Sequence, residues 1–164
     1  MVDLKSLLAY AASLGVGETE FYLEESSSWS CRVYQGEVEN LQASQGRGLG
    51  VRVIVDKALG IAYTSDVSEG TAREAVRRAA ENAKISAPDE LRSFYAPEGG
   101  YPSVETWSQD IQDTPAETKI RMALVMEAMA KQKDPRIRKG LGTGIATNSR
   151  SVTVVNSKGV NVSF

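Results

Sequence analysis

The stretch Gly46-Arg-Gly-Leu-Gly-Val-Arg-Val-Ile-Val-Asp-Lys-Ala-Leu-Gly-Ile-Ala-Tyr-Thr-Ser-Asp66 decides the fold. Leu49, Val51, Val53 and Val55 alternate with Gly50, Arg52 and Ile54, which is the period of a β-strand with one more apolar face. Asp56-Lys57 breaks the run, and Leu59, Ile61 and Tyr63 resume it, so the stretch reads as a hairpin with a tight turn. Gly46, Gly48 and Gly50 weaken the entry to the first strand and predict a bulge or a close backbone approach there.

Upstream, Leu4, Leu7, Leu8, Ala11 and Leu14 recur at helical spacing, and Gly15 and Gly17 supply the stop, so residues 3–14 are predicted helical. From Thr19 to Tyr34 the period becomes two: Phe21, Leu23, Trp29, Cys31 and Val33 share one parity across Ser26-Ser27-Ser28. One long bent strand, or two strands with a kink at the serines, satisfies that register. Gln35-Gly36 reads as a turn and Glu37 to Ser44 as a returning strand, which with the hairpin predicts a meander of about four antiparallel strands.

Downstream, Thr71-Ala-Arg-Glu74 has the form of a capping box opening a helix that runs to about Lys84. Its Ala72, Val76, Ala79 and Ala83 make a stripe of small residues suited to close packing on a sheet, while Arg73, Glu74, Arg77, Arg78 and Glu81 are read as a solvated face. Residues 86–113 are punctuated by Pro88, Pro97, Gly99, Gly100 and Pro102 and carry Phe94, Tyr95, Tyr101 and Trp107, an extended crossover expected to be pinned by its aromatics. Thr114-Pro115-Ala116-Glu117 combines a capping box with proline at the first helical position. In the helix that follows, Met122, Val125, Met126 and Met129 form one stripe, widened by Ile120, Leu124 and Ala128, and core packing is the preferred reading over an adaptable binding groove. Asp134-Pro135 ends that helix. Val152, Val154 and Val155, an Asn156-Ser-Lys-Gly159 turn, then Val160, Val162 and Phe164 return to strand, and an end in mid-pattern reads as a piece of a longer protein.

Composition excludes several classes of function. At 164 residues, 41% hydrophobic and 24% charged, the chain is long enough for a sizeable core and is not disordered in composition. With a net charge of −2 it lacks the clustered positive excess that phosphate recognition needs, and Lys131, Lys133, Arg136, Arg138 and Lys139 are read as a solvated helix end. Duplex DNA is accordingly expected to stay unshifted at physiological salt, and a salt-sensitive shift at low micromolar protein would overturn this. A single Cys31 cannot form an intrachain disulfide, and no window approaches the ~20 apolar residues of a membrane span. Asn161-Val-Ser163 matches a glycosylation acceptor and is read as accidental, so a cytoplasmic location is the expectation.

Histidine is absent, which removes His-based metal sites and Ser-His-Asp or Cys-His catalysis. Gly46-Arg-Gly48-Leu-Gly50 and Gly140-Leu-Gly142-Thr-Gly144 fail the spacing of a dinucleotide fingerprint and are followed by no Gly-Lys-Ser/Thr, so turns and bulges are expected. Cys31, with no histidine to activate it, is read as a buried small hydrophobe. Glu24, Glu25, Glu37 and Glu39 lie on neighbouring strands and are read as a solvated sheet face. No catalytic, cofactor-binding or metal residue is assigned.

The order of Arg47-Gly-Leu-Gly-Val-Arg52, Gly60-Ile-Ala-Tyr-Thr-Ser-Asp66 with its Ala-rich helix, Asp134-Pro-Arg-Ile137 and Val-Val-Asn-Ser-Lys-Gly159 resembles the PmbA/TldD family from about Thr19 onward. Members were once described as modulators of DNA gyrase and are now regarded as metallopeptidases or their partners. The resemblance covers only the amino-terminal domain of much longer proteins. Zinc in the peptidase branch is held by a His-Glu-x-x-x-His helix in the part this sequence does not contain, so zinc is implied only for that part or for a partner subunit. Ile85-Ser-Ala-Pro-Asp89 looks closer to the PmbA (TldE) branch.

The expected fold is therefore α+β: an antiparallel meander covered on one face by two or three helices, with a further β segment at the carboxyl end. Residues 1–85 hold the first helix, meander and covering helix, 86–113 the crossover and 114–164 a helix plus β segment, all within one domain of a longer parent. The expected function is non-catalytic: shaping the access of unfolded peptide in a proteolytic complex and contacting a homologous subunit as a homo- or heterodimer, with neither nucleic acid nor membrane as partner. Exposed sheet edges are expected to add a peptide strand. The alternatives are a regulatory or dimerising domain of a parent that is itself the zinc peptidase, or an independent interaction module.

Overall fold

The computed structural model describes residues 2–134, 136–137 and 142–164. Helix α1 (Leu4–Ser13) is opened by the Asp3 carboxylate, which accepts from Lys5 N–H at 3.0 Å. Strands β1 (Glu18–Tyr34), β2 (Glu37–Val55) and β3 (Ala58–Thr64) follow, then helices α2 (Glu69–Lys84), α3 (Gln109–Asp113) and α4 (Ala116–Lys133), and finally β4 (Gly142–Asn156) and β5 (Asn161–Ser163). The sheet order is β3-β2-β1-β4-β5, with β2–β3 and β4–β5 antiparallel, so the fold is α+β. Among the described residues no helix is long and apolar enough to cross a membrane.

The meander has three strands rather than four. Residues 37–55 form one continuous β2, because Gly46, Gly48 and Gly50 are accommodated in extended backbone. Likewise Ser26-Ser27-Ser28 runs inside an unbroken β1. The expected close approach falls elsewhere: a Cβ on Gly48 would meet Thr64 O at an ordinary 3.7 Å, whereas one on Gly17 would sit 2.8 Å from Ile54 O. Both hairpin turns place residues in the left-handed region, Gln35 and Gly36 at φ 54° and 82°, Asp56 and Lys57 at 48° and 66°. Such turns match the strand twist but strain non-glycine residues. Replacing Asp56-Lys57 by Asn-Gly is therefore expected to add about 0.5–1 kcal/mol to stability, read from the urea midpoint.

The chain divides into two compact units, one of Met1–Glu25, Gly46–Val104 and Ser151–Phe164, the other of Ser26–Gln45 and Glu105–Arg150. In the first, Phe21, Leu49, Val51 and Val53 on the sheet meet Leu7, Val67, Val76 and Ala79 in the core. The small-residue stripe of α2 is buried as the sequence predicts. The capping box is displaced, however: α2 begins at Glu69 with Ser68 as its N-cap, and Thr71 lies inside the first turn. Asp66 organises that end instead, accepting from Ser68 N–H at 2.9 Å, Ser68 Oγ at 3.1 Å and Thr71 Oγ1 at 2.8 Å, which together hold its carboxyl below the usual range.

The second unit is built on Cys31, Val33 and Ala123, flanked by Trp29, Ile120, Leu124 and Ile145. Here two expectations are corrected. Pro115 is the N-cap of α4, with no side-chain capping bond, and Thr114 Oγ1 instead donates to Asp110 O at 2.6 Å and closes α3. The methionine stripe is not core: Met122, Val125, Met126 and Met129 are 51, 49, 41 and 63% exposed. The face of α4 that is buried carries Lys119, Ala123 and Glu127. Helix α4 ends at Lys133 with Asp134 as its C-cap, as the Asp134-Pro135 pair predicts; Pro135 itself, and Arg138, Lys139 and Gly140 of the basic and glycine-rich runs, lie outside the described residues, while Gly142 and Gly144 stand within β4.

Candidate functional site

In the first unit the residues of β1 and β2 that point away from the core form an open sheet face. Register places Ile61 opposite Arg52 and Tyr63 opposite Gly50. Since glycine leaves a gap between larger neighbours, Tyr22, Ile61 and Tyr63 wall a shallow depression of about 350 Å³ above Gly50. Arg52 and Glu20 close its polar end. Arg52 Nε donates to Glu20 Oε1 at 3.0 Å, its Nη2 pairs with the same carboxylate, and the guanidinium stands 5.3 Å from the centre of the Phe94 ring.

Asn156, buried, ties this end together. Its Nδ2 donates to Tyr95 O at 2.9 Å, and its Oδ1 accepts from Lys158 N–H at 2.9 Å and Val160 N–H at 3.0 Å. That gives the Asn-Ser-x-Gly turn its physical reason: the side chain satisfies the turn's own donors while anchoring the crossover. Glu18 grips the same segment, accepting from Phe94 N–H at 2.7 Å and Ser93 Oγ at 3.1 Å and pairing with Lys158 Nζ at 2.9 Å. Burial pushes the Glu18 carboxyl up, but these three partners outweigh it and leave it below its usual range. The crossover is thus pinned through its backbone, and of its aromatics only Phe94 is half-buried, with Tyr95, Tyr101 and Trp107 exposed.

The second unit turns on α4. Glu127, 2% exposed, accepts from the backbone N–H groups of Gln35 and Gly36, both at 2.7 Å, and pairs with Lys131 at 3.0 Å. Lys119 threads its stem through the apolar layer, donates to Thr147 Oγ1 at 3.2 Å and stands 5.3 Å from the centre of the Trp29 ring. The hairpin tip is therefore latched to a helix by a carboxylate, a role that an apolar-pattern reading of α4 does not reveal.

Of the residues singled out by sequence, Cys31 is buried and free. Glu39 pairs with Arg32 at 3.0 Å and Glu24 accepts from Tyr22 OH at 3.3 Å. The structure does not gather Glu24, Glu25, Glu37 and Glu39 into one site: among the described residues no group of three or more His, Cys, Asp or Glu could hold a metal. The zinc implied by the family resemblance has no fitting donor set among the described residues.

The chain is an α+β protein whose hairpin tip is latched to a helix, and comparison with known proteins gives it a family. A model described as PmbA/TldA metallopeptidase domain 1 matches residues 19–86, and one for the PmbA/TldA metallopeptidase central domain matches 109–164. The chain belongs to the PmbA/TldD family. A metalloprotease PmbA homolog of Haemophilus influenzae is 26% identical over 99% of the chain, which spans 37% of that relative's length. The fold matches TldE of Thermococcus kodakarensis with a TM-score of 0.83 at 23% identity, over 98% of this chain and 36% of that one. It also matches a candidate modulator of DNA gyrase from Thermotoga maritima, with a TM-score of 0.83 at 18% identity over the same shares of the two chains.

Proposed function

We propose that this chain serves a PmbA/TldD-type proteolytic assembly as a non-catalytic part that guides extended peptide and contacts a homologous subunit. The observation that carries the reading is the outer edge of β2. Strand β3 pairs with β2 only from Leu49 to Val55, so among the described residues Glu37–Gln45 has no strand on its outer side, and every residue in it is exposed. Nine residues offer roughly 30 Å of unpaired backbone donors and acceptors. Such an edge reads main chain rather than side chains, which suits unfolded peptides of many sequences.

The edge of β3 is less open. Ile61 O accepts from Asn82 Nδ2 at 2.8 Å, Lys57 O accepts from Asp89 N–H at 3.0 Å, and Ala58 bridges Pro88, so β3 is largely covered. At the far side β5 pairs with β4 only from Thr153 to Val155, and the stretch of β4 before it, residues 142–150, alternates between exposed and half-buried residues where Glu37–Gln45 of β2 are all exposed. Titrating the full-length protein with an unstructured peptide should perturb backbone amides between Glu37 and Gln45 in NMR spectra. Perturbations that spare β2 would sink the reading.

A second reading, that the parent polypeptide itself holds zinc, is favoured by the metalloprotease name of the Haemophilus influenzae relative and by its greater length. Stoichiometric metal in the purified full-length protein would select it, and a metal-free protein active only with a second subunit would select the first.

A further inference from the structure

Two exposed apolar surfaces of opposite charge lie on the second unit. The first is the solvent face of α4, where Met122, Val125, Met126 and Met129 run for about 10 Å along the helix. Arg121 and Lys133 flank it, and neither is in an ion pair among the described residues; Arg121 has only a 3.5 Å hydrogen bond to Thr118 Oγ1. The second is the segment leading into α4. Trp107 and Ile111 are 52 and 55% exposed, and Glu105, Asp110 and Asp113 surround them. All residues from Glu98 to Asp113 are exposed, so packing does not account for an indole and an isoleucine there.

Extending the subunit-contact part of the proposed function, we infer that the Glu105–Asp113 segment of one copy docks on the methionine face of α4 in a second copy. The complement is physical: acids around Trp107 and Ile111 meet bases around a methionine surface, and methionine repacks readily around an aromatic guest. Because both surfaces belong to the same chain, two copies related by a two-fold axis satisfy both contacts at once and close the assembly.

The test is a charge exchange in the full-length protein, followed by sedimentation velocity. Arg121→Glu with Lys133→Glu makes both surfaces acidic, and Asp110→Lys with Asp113→Lys turns the segment basic, matching the charge of the α4 face. Each variant alone should dissociate, its dimer dissociation constant rising by about tenfold or more, while an equimolar mixture should pair again because both contacts are then matched. Met126→Glu should dissociate without rescue. A monomeric parent protein, a dimer indifferent to these changes, or association only with a different homologous chain would overturn the inference. Peptide perturbation of Glu37–Gln45 is read on the same variants. Its absence while the dimer behaves as stated would remove the peptide-guiding role and leave this interface standing.

Discussion

Replacing Gly60 with alanine is expected to cost about 3 kcal/mol of folding stability, seen as a lower urea midpoint with an unchanged slope. Gly60 stands opposite Val53 in the β2–β3 register and faces α2. A Cβ there would overlap Ala79 O and lie 2.6 Å from Ala83 N. Both are helix backbone atoms, so no rotamer change can relieve the clash and α2 must lift from β3. Lifting it exposes part of a core layer that includes Val76, Ala79 and Ala83, which is why the penalty sits at the top of the range for overpacking. Gly48→Ala is the control: its Cβ would make an ordinary 3.7 Å contact, and its effect should stay within about 0.5 kcal/mol. Equal effects at the two positions would refute the argument.

Substituting Glu127 by alanine should release the β1–β2 hairpin tip. Two backbone N–H groups at 2.7 Å would lose their only acceptor among the described residues, and amide exchange at Gln35 and Gly36 should accelerate by about tenfold or more. Glu127→Gln keeps one carbonyl and should protect one of the two. The latch also has a pH window. Lys131 lowers the Glu127 carboxyl most, burial raises it, and the Gly36 and Gln35 N–H groups lower it further, for a net position below its ordinary 4.5. A carboxyl depressed in the folded protein stabilises fully above its unfolded value and loses that contribution as pH falls through the lower folded value. Once the intrinsic pH dependence of exchange is removed, protection of the two amides should hold steady above 4.5 and decline only below it. Protection that is unchanged in the alanine variant would show that the carboxylate does not hold the turn.

Much of this architecture is legible in the sequence where period and burial agree. The odd residues of β1, the alternation of β2 around Val51 and Val53, and the alanine stripe of α2 all bury the face that their spacing marks. The sequence misleads where polar groups govern. In α4 the methionine stripe has the apolar period, yet the helix turns inward the face whose Glu127 meets the hairpin N–H groups and whose Lys119 stem fits against Trp29. Periodicity measures contrast between faces and carries no term for a specific carboxylate–amide contact. Both capping boxes fail for a related reason. The hydroxyls of Thr71 and Thr114 find nearer partners in Asp66 and Asp110 O, so α2 starts three residues before its motif places it and α4 one residue after. Nor does local spacing say which glycine meets another element closely: Gly60 against α2 and Gly17 against β2 owe their tight contacts to residues distant in sequence, while Gly48 and Gly50 of the conspicuous glycine run have only ordinary ones.

The discontinuous make-up of the first unit has a consequence for how the protein is made. Ser157 N–H donates to Thr19 O at 2.8 Å, Thr19 N–H donates to Ser157 Oγ at 3.0 Å, and buried Asn156 reaches Tyr95 O. The Thr19–Ser157 bonds join residues 138 positions apart and the Asn156–Tyr95 bond residues 61 apart, so nascent chain emerging from a ribosome cannot complete this unit until residue 157 has cleared the exit tunnel. Until then β1 carries Phe21 and Leu23 without the strand that will flank them. Completion of this unit therefore waits for its last strand, and the interval before that is when the unfinished sheet is most open to chaperones and to misassembly.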